Sequence, residues 1–420
     1  MNKNIKLAVA GAVLALSATA ANAGIVIPAG DWTVDIGGNV NSFYQNTRFS
    51  GAMESNVTNA PTNKTTNTVS TGLLPAALGI GAKTRQNDLD VAFQFTFFTG
   101  TDSTTGAGSA GVFGANGGAG NSLNIRQAFL SFGDKSWGSV KMGRDLGVFG
   151  SDAILSDMTL LGVGTGAGGN GNSTLGRIGS GYLYADWLGQ IQYTTPNWNG
   201  LQLTAAARQP WANSANSDLG FDAKAVYSWA GDVSGKVWVS GLTQRTRTAG
   251  VAAIDAIAAD AGADPIVVGN EAVAAVPAIN NRANAWDIGA NINIEKANLV
   301  GYYYSGKNMG SNAVSGVLQL TGLGISNPVV DTDVSGGYVQ STYVIPTGTK
   351  LGASYGLSRN DARGVREFTS TSYVLGAYHP LTKHLNLVAE YTNHKLDNID
   401  GDDTLDGKAK TVALGAILFF

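Results

Sequence analysis

The residues best suited to chemistry crowd into "VKMGRDLGVFGSDAILSDM", residues 140–158. Here Lys141, Arg144, Asp145, Asp152 and Asp157 gather in a chain that is only 14 % charged. Fixed cations and carboxylates facing each other across a narrow water-filled gap create a field that sorts ions and orients dipolar solutes. The requirement is geometric: a basic group on a wall, and acids on a segment that can come to face it. Residues 145–176 are long enough to supply that segment. Their glycines, Gly162, Gly164, Gly166, Gly168, Gly169 and Gly171, permit the tight turns of an in-folded loop. An ordinary solvated loop is the alternative that composition leaves open.

Other chemistries have less support. "GTGAGG" (164–169) and "GAGSAG" (106–111) match G-x-G-x-x-G, but neither lies between a buried strand and a helix, as nucleotide binding requires. No G-K-[ST] phosphate loop is present. His379 and His384 flank a short turn and His394 ends the next strand, about 30 Å away at ~3.3 Å per residue. These read as solvated turn and loop histidines, and no metal site is expected. No serine stands in a recognisable nucleophile context, so a hydrolase ranks last. No cofactor is implied, and nucleic acid is not expected as a partner.

The elements that must hold the charges read as strands. "AWDIGANINIE" sets Trp286, Ile288, Ala290, Ile292 and Ile294 on one face against Asp287, Gly289, Asn291, Asn293 and Glu295. "FDAKAVYSW" and "LNLVAEY" alternate in the same way. Segments that are apolar toward lipid and polar or small toward a lumen make up a membrane β-barrel. Tight connections ("PNWNG", "GDVSG", "PTGTK") interleave with long ones at 49–71, 101–121, 148–176, 249–282 and 309–333, leaving room for about sixteen strands. Trp211, Trp229 and Trp286, with Tyr182, Tyr184, Tyr338, Tyr373 and Tyr378, read as interfacial girdles. The Thr/Asn-rich run 56–71 and the Ala-rich run 249–264 read as outer loops. "TVALGAILFF" alternates through to Phe420, as expected where the last strand pairs with the first and removes both edges.

Composition agrees with an all-β membrane protein. There is no cysteine, and 44 % of residues are hydrophobic. Lys3 and Lys6, an apolar run over 7–16 and Ala21-Asn22-Ala23 form a secretory signal expected to be cleaved before Gly24. Removing those two lysines takes the formal charge from −3 to −5. One barrel domain, 24–420, is expected to remain, and no later segment is long and apolar enough for a membrane helix.

Residues 126–200 carry a more specific likeness. "RQAFLSFGDKSWGSVKMGRDLG", "SDAILSDM", "GRIGSGYLYADW" and "IQYTTPNWNGLQLTAA" resemble, in order, a hairpin, the start of a loop, a returning strand and a periplasmic turn of the general trimeric porins of Gram-negative outer membranes. The resemblance implies a transmembrane antiparallel barrel with its third outer loop bent inward, wall arginines opposite loop carboxylates, and assembly as a homotrimer among outer-membrane lipids. It also implies passive diffusion of small hydrophilic solutes and ions. Arg144 and Arg177 match wall arginines, and Asp157 matches a loop acid. Asp152, Lys141 and Arg126 complete the candidate constriction. A second loop acid of the family falls near Leu161, and a further wall arginine falls near Gly79, with Lys83 or Arg85 as substitutes. Strict alternation separates Lys141 from Arg144; Arg144 is favoured for the lumen, with a bulge at Gly143 needed to admit both. The rival readings are a substrate-selective channel on the same fold and a plugged barrel with adhesive loops.

Overall fold

A computed structural model describes residues 24–51, 53–54, 64–101, 123–165, 173–210, 218–248, 279–309, 332–362, 366–398 and 406–420. The signal segment, Trp211, Gly166, Gly168, Gly169, Gly171, the Ala-rich run and the 106–111 glycine motif lie outside the described residues.

Tight turns join antiparallel neighbours. Asn87 and Asp88 both take positive φ, 48° and 62°, as in the two-residue connections whose twist matches that of the strands they join. They link β4 (Ala76–Gln86) to β5 (Leu89–Thr99). The first long strand, β2 (Trp32–Gly51), carries β1 (Ile25–Ala29) on its N-terminal part. On its other side it pairs with β3 (Thr65–Ser70) and then with β4. β3 and β4 are therefore two halves of one wall strand, interrupted at residues 71–75.

The wall continues through β6 (Asn124–Asp134), β7 (Gly138–Leu146), β8 (Trp187–Thr194), β9 (Leu201–Arg208), β10 (Gly220–Trp229) and β11 (Val233–Thr248). It is completed by β12 (Ile279–Ile294), β13 (Ala297–Lys307), β14 (Thr332–Val344), β15 (Lys350–Ala362), β16 (Arg366–Pro380), β17 (Leu385–Asn398) and β18 (Gly407–Phe419). β18 pairs with β2 from Gly407↔Gly51 to Phe419↔Asn39 and closes the ring. With β3 and β4 taken as one and β1 set aside, sixteen antiparallel strands form the wall among the described residues.

Alternation places the two faces. Val412 and Leu414 are 44 % and 53 % exposed on the outer surface, while Ala413 between them is 1 % exposed. Trp286 and Tyr373 are exposed on the outer surface, in keeping with a girdle. Tyr338 and Tyr378 instead point inward and are buried, and Tyr182 and Tyr184 belong to the loop between β7 and β8. Period-two alternation cannot say which face meets lipid when both faces carry rings. His394 is also buried rather than solvated, with Nε2 2.9 Å from Ser370 Oγ.

Wall height is uneven. β7, β8 and β9 have 9, 8 and 8 residues, whereas β11 and β12 have 16 each. The loop between β7 and β8, in its described residues 147–165 and 173–186, leaves the low side of the wall and packs inside the barrel. The apolar core of the molecule lies between this loop and the inner faces of the strands.

Candidate pore constriction

The loop opens with a short helix, α1 (Ser151–Leu155), followed by a 3-10 turn, Met158–Leu161. Lumen-facing polar side chains of the wall satisfy its free backbone groups, as buried N–H and C=O groups require. Asp222 on β10 accepts from Phe149 N at 3.3 Å, and Asp287 on β12 accepts from Gly150 N at 3.1 Å. On β14, the Tyr338 hydroxyl donates to Ala153 O at 2.7 Å. Gln340 accepts from Met158 N at 2.7 Å and donates to Ser156 O at 3.0 Å. Glu390 on β17 accepts from Val163 N and Gly164 N at 2.7 and 2.8 Å, and from the Tyr378 hydroxyl at 2.6 Å.

The interruption at 71–75 has a purpose in this packing. Its backbone turns inward and grips the loop's far end. Leu73 N donates to Gly162 O at 2.9 Å, Thr174 N donates to Gly72 O at 3.1 Å, and Ser173 Oγ donates to Leu73 O at 2.8 Å. The outgoing and returning limbs of the loop cross at Gly164 and Gly176. Both have positive φ, and a Cβ on Gly164 would lie 2.5 Å from Gly176 Cα. Only glycine allows that crossing.

The charges of the loop belong to the same anchoring. Asp152 is bound by Lys224 on β10 at 2.7 Å and by Lys236 on β11 at 2.6 Å. Burial alone would raise its carboxyl, but the two ammonium groups together hold it below the ordinary carboxylate range. Asp157 is 3 % exposed; its Oδ1 accepts from Thr159 N at 2.9 Å and its Oδ2 from the Tyr182 hydroxyl at 2.8 Å. It caps the 3-10 turn and locks one limb of the loop to the other. Arg177, expected on the wall, lies on the returning limb and is 0 % exposed, with Nη1 3.1 Å from both Ser372 O and Ser372 Oγ. Asp152, Asp157 and Arg177 are thus brought into one loop, but their polar atoms turn toward the wall or the loop interior.

The wall near the loop's root also departs from expectation. Strand register runs unbroken through Gly143, whose φ of 128° takes up the local distortion without adding a residue. Lys141 therefore shares the inner face with Asp145 and pairs with it, while Arg144, offset by one residue from that face, comes within electrostatic reach of Arg126 and Asp186. Lys141, whose facing strict alternation left open, thus points inward. A register shift between Thr96 and Phe97 acts instead on β6. It places both Arg126 and Gln127 inward, with the Arg126 guanidinium 4.8 Å from the Phe98 ring centroid and Gln127 donating to Asp145 at 2.8 Å. Lys83 and Arg85 lie toward the Asn87–Asp88 turn, paired with Asp35, and with Asp90 and Asp134, respectively.

One side of the loop makes none of these anchors. Among the described residues from 147 to 186, Leu155, Leu160, Tyr184 and Asp186 alone are half-buried; the others are buried. Leu155 and Leu160 border a cavity of about 30 Å³ that also touches Leu73, Leu74, Pro75, Phe98, Leu146 and Trp187. Its polar edge is formed by Arg126, Tyr184 and Ser173. Arg144, Arg126 and Asp186 lie within electrostatic reach of Tyr184.

The wall anchors were missed in the sequence except as members of polar strand faces: Lys224 and Asp222 in "FDAKAVYSW", Asp287 in "AWDIGANINIE" and Glu390 in "LNLVAEY". That pattern marks a lumen-facing side chain, but it does not say that a loop backbone will meet it.

Comparison with known proteins fits this architecture. A family model described as Gram-negative porin matches residues 8–399. A search of curated proteins returned no match. Among solved structures, the outer membrane channel DcaP of Acinetobacter baumannii aligns with a TM-score of 0.61 at 16 % identity, covering 95 % of this chain and 100 % of that one. OmpT of Vibrio cholerae and Salmonella typhi OmpF, the latter in complex with daunomycin, each align with a TM-score of 0.56 at 16 % identity, covering 94 % of this chain and 100 % of theirs. These structures share the fold. With the family match spanning most of its length, the chain belongs to the Gram-negative porin family and forms an outer-membrane channel for passive diffusion.

Proposed function

We propose that the gap between the free face of the loop and the low wall is the narrowest part of the channel, and that its lining is mainly apolar rather than crossed by opposed charges. The observation that carries this reading is the placement of Leu155 and Leu160 opposite Phe98, Leu146 and Pro75, while the loop's acids turn away. A hydrophobic constriction regulates passage by how readily it wets, so small uncharged and weakly hydrated solutes are favoured over strongly hydrated ions.

The low wall supports assembly as a homotrimer. An eight-residue strand at ~3.3 Å per residue and ~40° tilt rises about 20 Å, less than the ~25 Å apolar band of an outer-membrane barrel. The outer face of that side is rich in large apolar groups, including Phe93, Phe95, Leu130 and Ile191. Neighbouring subunits would cover it, and lipid would meet the taller wall. A trimer form is among the similar structures, that of Vibrio cholerae OmpT.

The chain has no cysteine, so single introduced thiols report position. In planar bilayers, a charged thiol reagent is expected to change the single-channel conductance of Leu160→Cys at least twofold and to leave Leu375→Cys, on the outer surface, unchanged. An unaltered conductance in modified Leu160→Cys would reject this constriction.

A further inference from the structure

We infer that the outer face of β17, β18 and β2, at its extracellular end, is a docking site for a phosphorylated lipid headgroup of the outer leaflet. Arg48, Lys395, Lys408 and Lys410 supply the charge, and the strands below them supply an apolar bed for the lipid's chains.

All four side chains are exposed, while their strand neighbours Thr47, Phe49, His394, Leu396 and Ala409 are buried on the inner face. Strand register brings the four together. Arg48 on β2 stands directly opposite Lys410 on β18, and Lys408 on β18 stands directly opposite Lys395 on β17. Three neighbouring strands at ~4.8 Å spacing, and one step of ~7 Å along a face, confine the group to a patch about 10 Å wide. Like charges directly opposite each other are destabilising, so two such pairs side by side call for a counter-charge. Asp397 is taken by Lys395 at 2.5 Å, and Glu54 by Lys64 at 3.4 Å. Arg48, Lys408 and Lys410 form no ion pair among the described residues. With Asp397 and Asp406 set against them, the four cations still exceed the acids by two.

The patch lies at the end of the wall where the connections are long, between β17 and β18 and between β2 and β3. At the opposite end, residues 381–384 join β16 to β17. Short turns face the periplasm and long loops face outside. Down the same face the chemistry changes in the order that a leaflet does. On β18, Lys408 and Lys410 give way to Val412, Leu414 and Leu418, all exposed. Tyr391 stands opposite Val412 and Tyr44 opposite Leu414, at the level where amphipathic rings meet the membrane interface. A cation on the lipid face is tolerated above that level and costly at mid-membrane. Clustered Lys and Arg at a membrane surface attract anionic headgroups, and a phosphate offers several oxygens to their charge-assisted hydrogen bonds. The extracellular leaflet of an outer membrane carries phosphate on a glycolipid, whose acyl chains would run along Val412, Leu414 and Leu418.

The rival counter-charge is the chain's own: Asp400, Asp402 and Asp403, which lie outside the described residues. The test uses the purified full-length channel in neutral detergent, with bound lipid counted by native mass spectrometry. Its probes are diphosphoryl lipid A, the same lipid stripped of phosphate, and inorganic phosphate. The diphosphoryl form is expected to bind about tenfold more tightly than the stripped form. Arg48→Gln with Lys410→Gln, and Lys395→Gln with Lys408→Gln, should each reduce that margin to about threefold or less. Lys135→Gln, between β6 and β7 at the periplasmic end, should leave it whole. Both double variants should keep the parent's single-channel conductance, because the substituted side chains lie outside the pore. Equal binding of the two lipid forms by the parent would overturn the inference and assign the cations to the chain's own acids. A margin kept in both double variants would overturn it as well. Displacement of the lipid by an equal concentration of inorganic phosphate would replace it with a free-anion site. The constriction reading stands or falls separately from all of these.

Discussion

The two sides of the in-folded loop are built on opposite principles. Toward β10–β17, Asp152 meets Lys224 and Lys236, and Glu390, Asp287, Asp222 and Gln340 receive the loop's N–H groups. Toward β5–β8, Leu155 and Leu160 face an apolar gap with Arg126 at its edge. The charges that meet the loop therefore hold it in place, and the surface left for solutes is the one without anchors. A buried acid with paired cations is costly to disturb because each partner would be left unpaired in a low dielectric. A half-buried leucine is not.

That contrast can be broken from either side. The largest effect is expected from Asp152→Asn, which leaves two partly buried ammonium groups without their carboxylate. The loss should be on the order of 3–5 kcal/mol, seen as a lower unfolding temperature of the detergent-solubilised barrel together with a noisier, larger conductance. A stability equal to that of the parent would mean that this side is not the anchor. Leu160→Ala on the free side should cost less, about 2 kcal/mol, because the leucine is only partly buried at the edge of the apolar core. It should nevertheless raise conductance, since it removes bulk from the gap; unchanged conductance with unchanged stability would deny the free side any role.

The smallest effect concerns acid. The Asp152 carboxyl lies below its ordinary value of 3.8 in the folded protein, so the anchoring it provides is complete above that value and is lost only as pH falls through the lower folded one. Conductance attributable to loop release should stay flat from pH 8 to about 4, which a pH series on single channels would show. A rise beginning near pH 6 would assign the anchoring to another group.

Much of the wall was legible because its signal is local. Alternation in "AWDIGANINIE" predicts Ile288 outside and Asp287 inside, and both are found there. The short and long connections predict an even ring of about sixteen strands, and the ring closes through β18 and β2. The candidate site was legible only in part. The described residues of the loop between β7 and β8 pack inside the barrel, but Arg177, matched to a wall position, is a loop residue sealed against Ser372. The inward face of Lys141 was not legible, because a glycine with positive φ looks the same in sequence whether or not it shifts register. The shift that matters lies at Thr96–Phe97 on β5, where it turns Arg126 inward. No residue type announces it.

What the sequence determined by itself is whatever repeats every second residue or depends on near neighbours. That covers the strands, their two faces, the tight turns and the presence of a long glycine-rich loop with acids. What the tertiary structure decided is which partner each of those acids meets. Asp152 and Lys236 are 84 residues apart, and Gly164 and Glu390 are 226 apart. A carboxylate's role, as anchor or as ion filter, depends on whether its oxygens are turned to buried donors or to water. Only closing the ring and folding the loop across it fixes that direction.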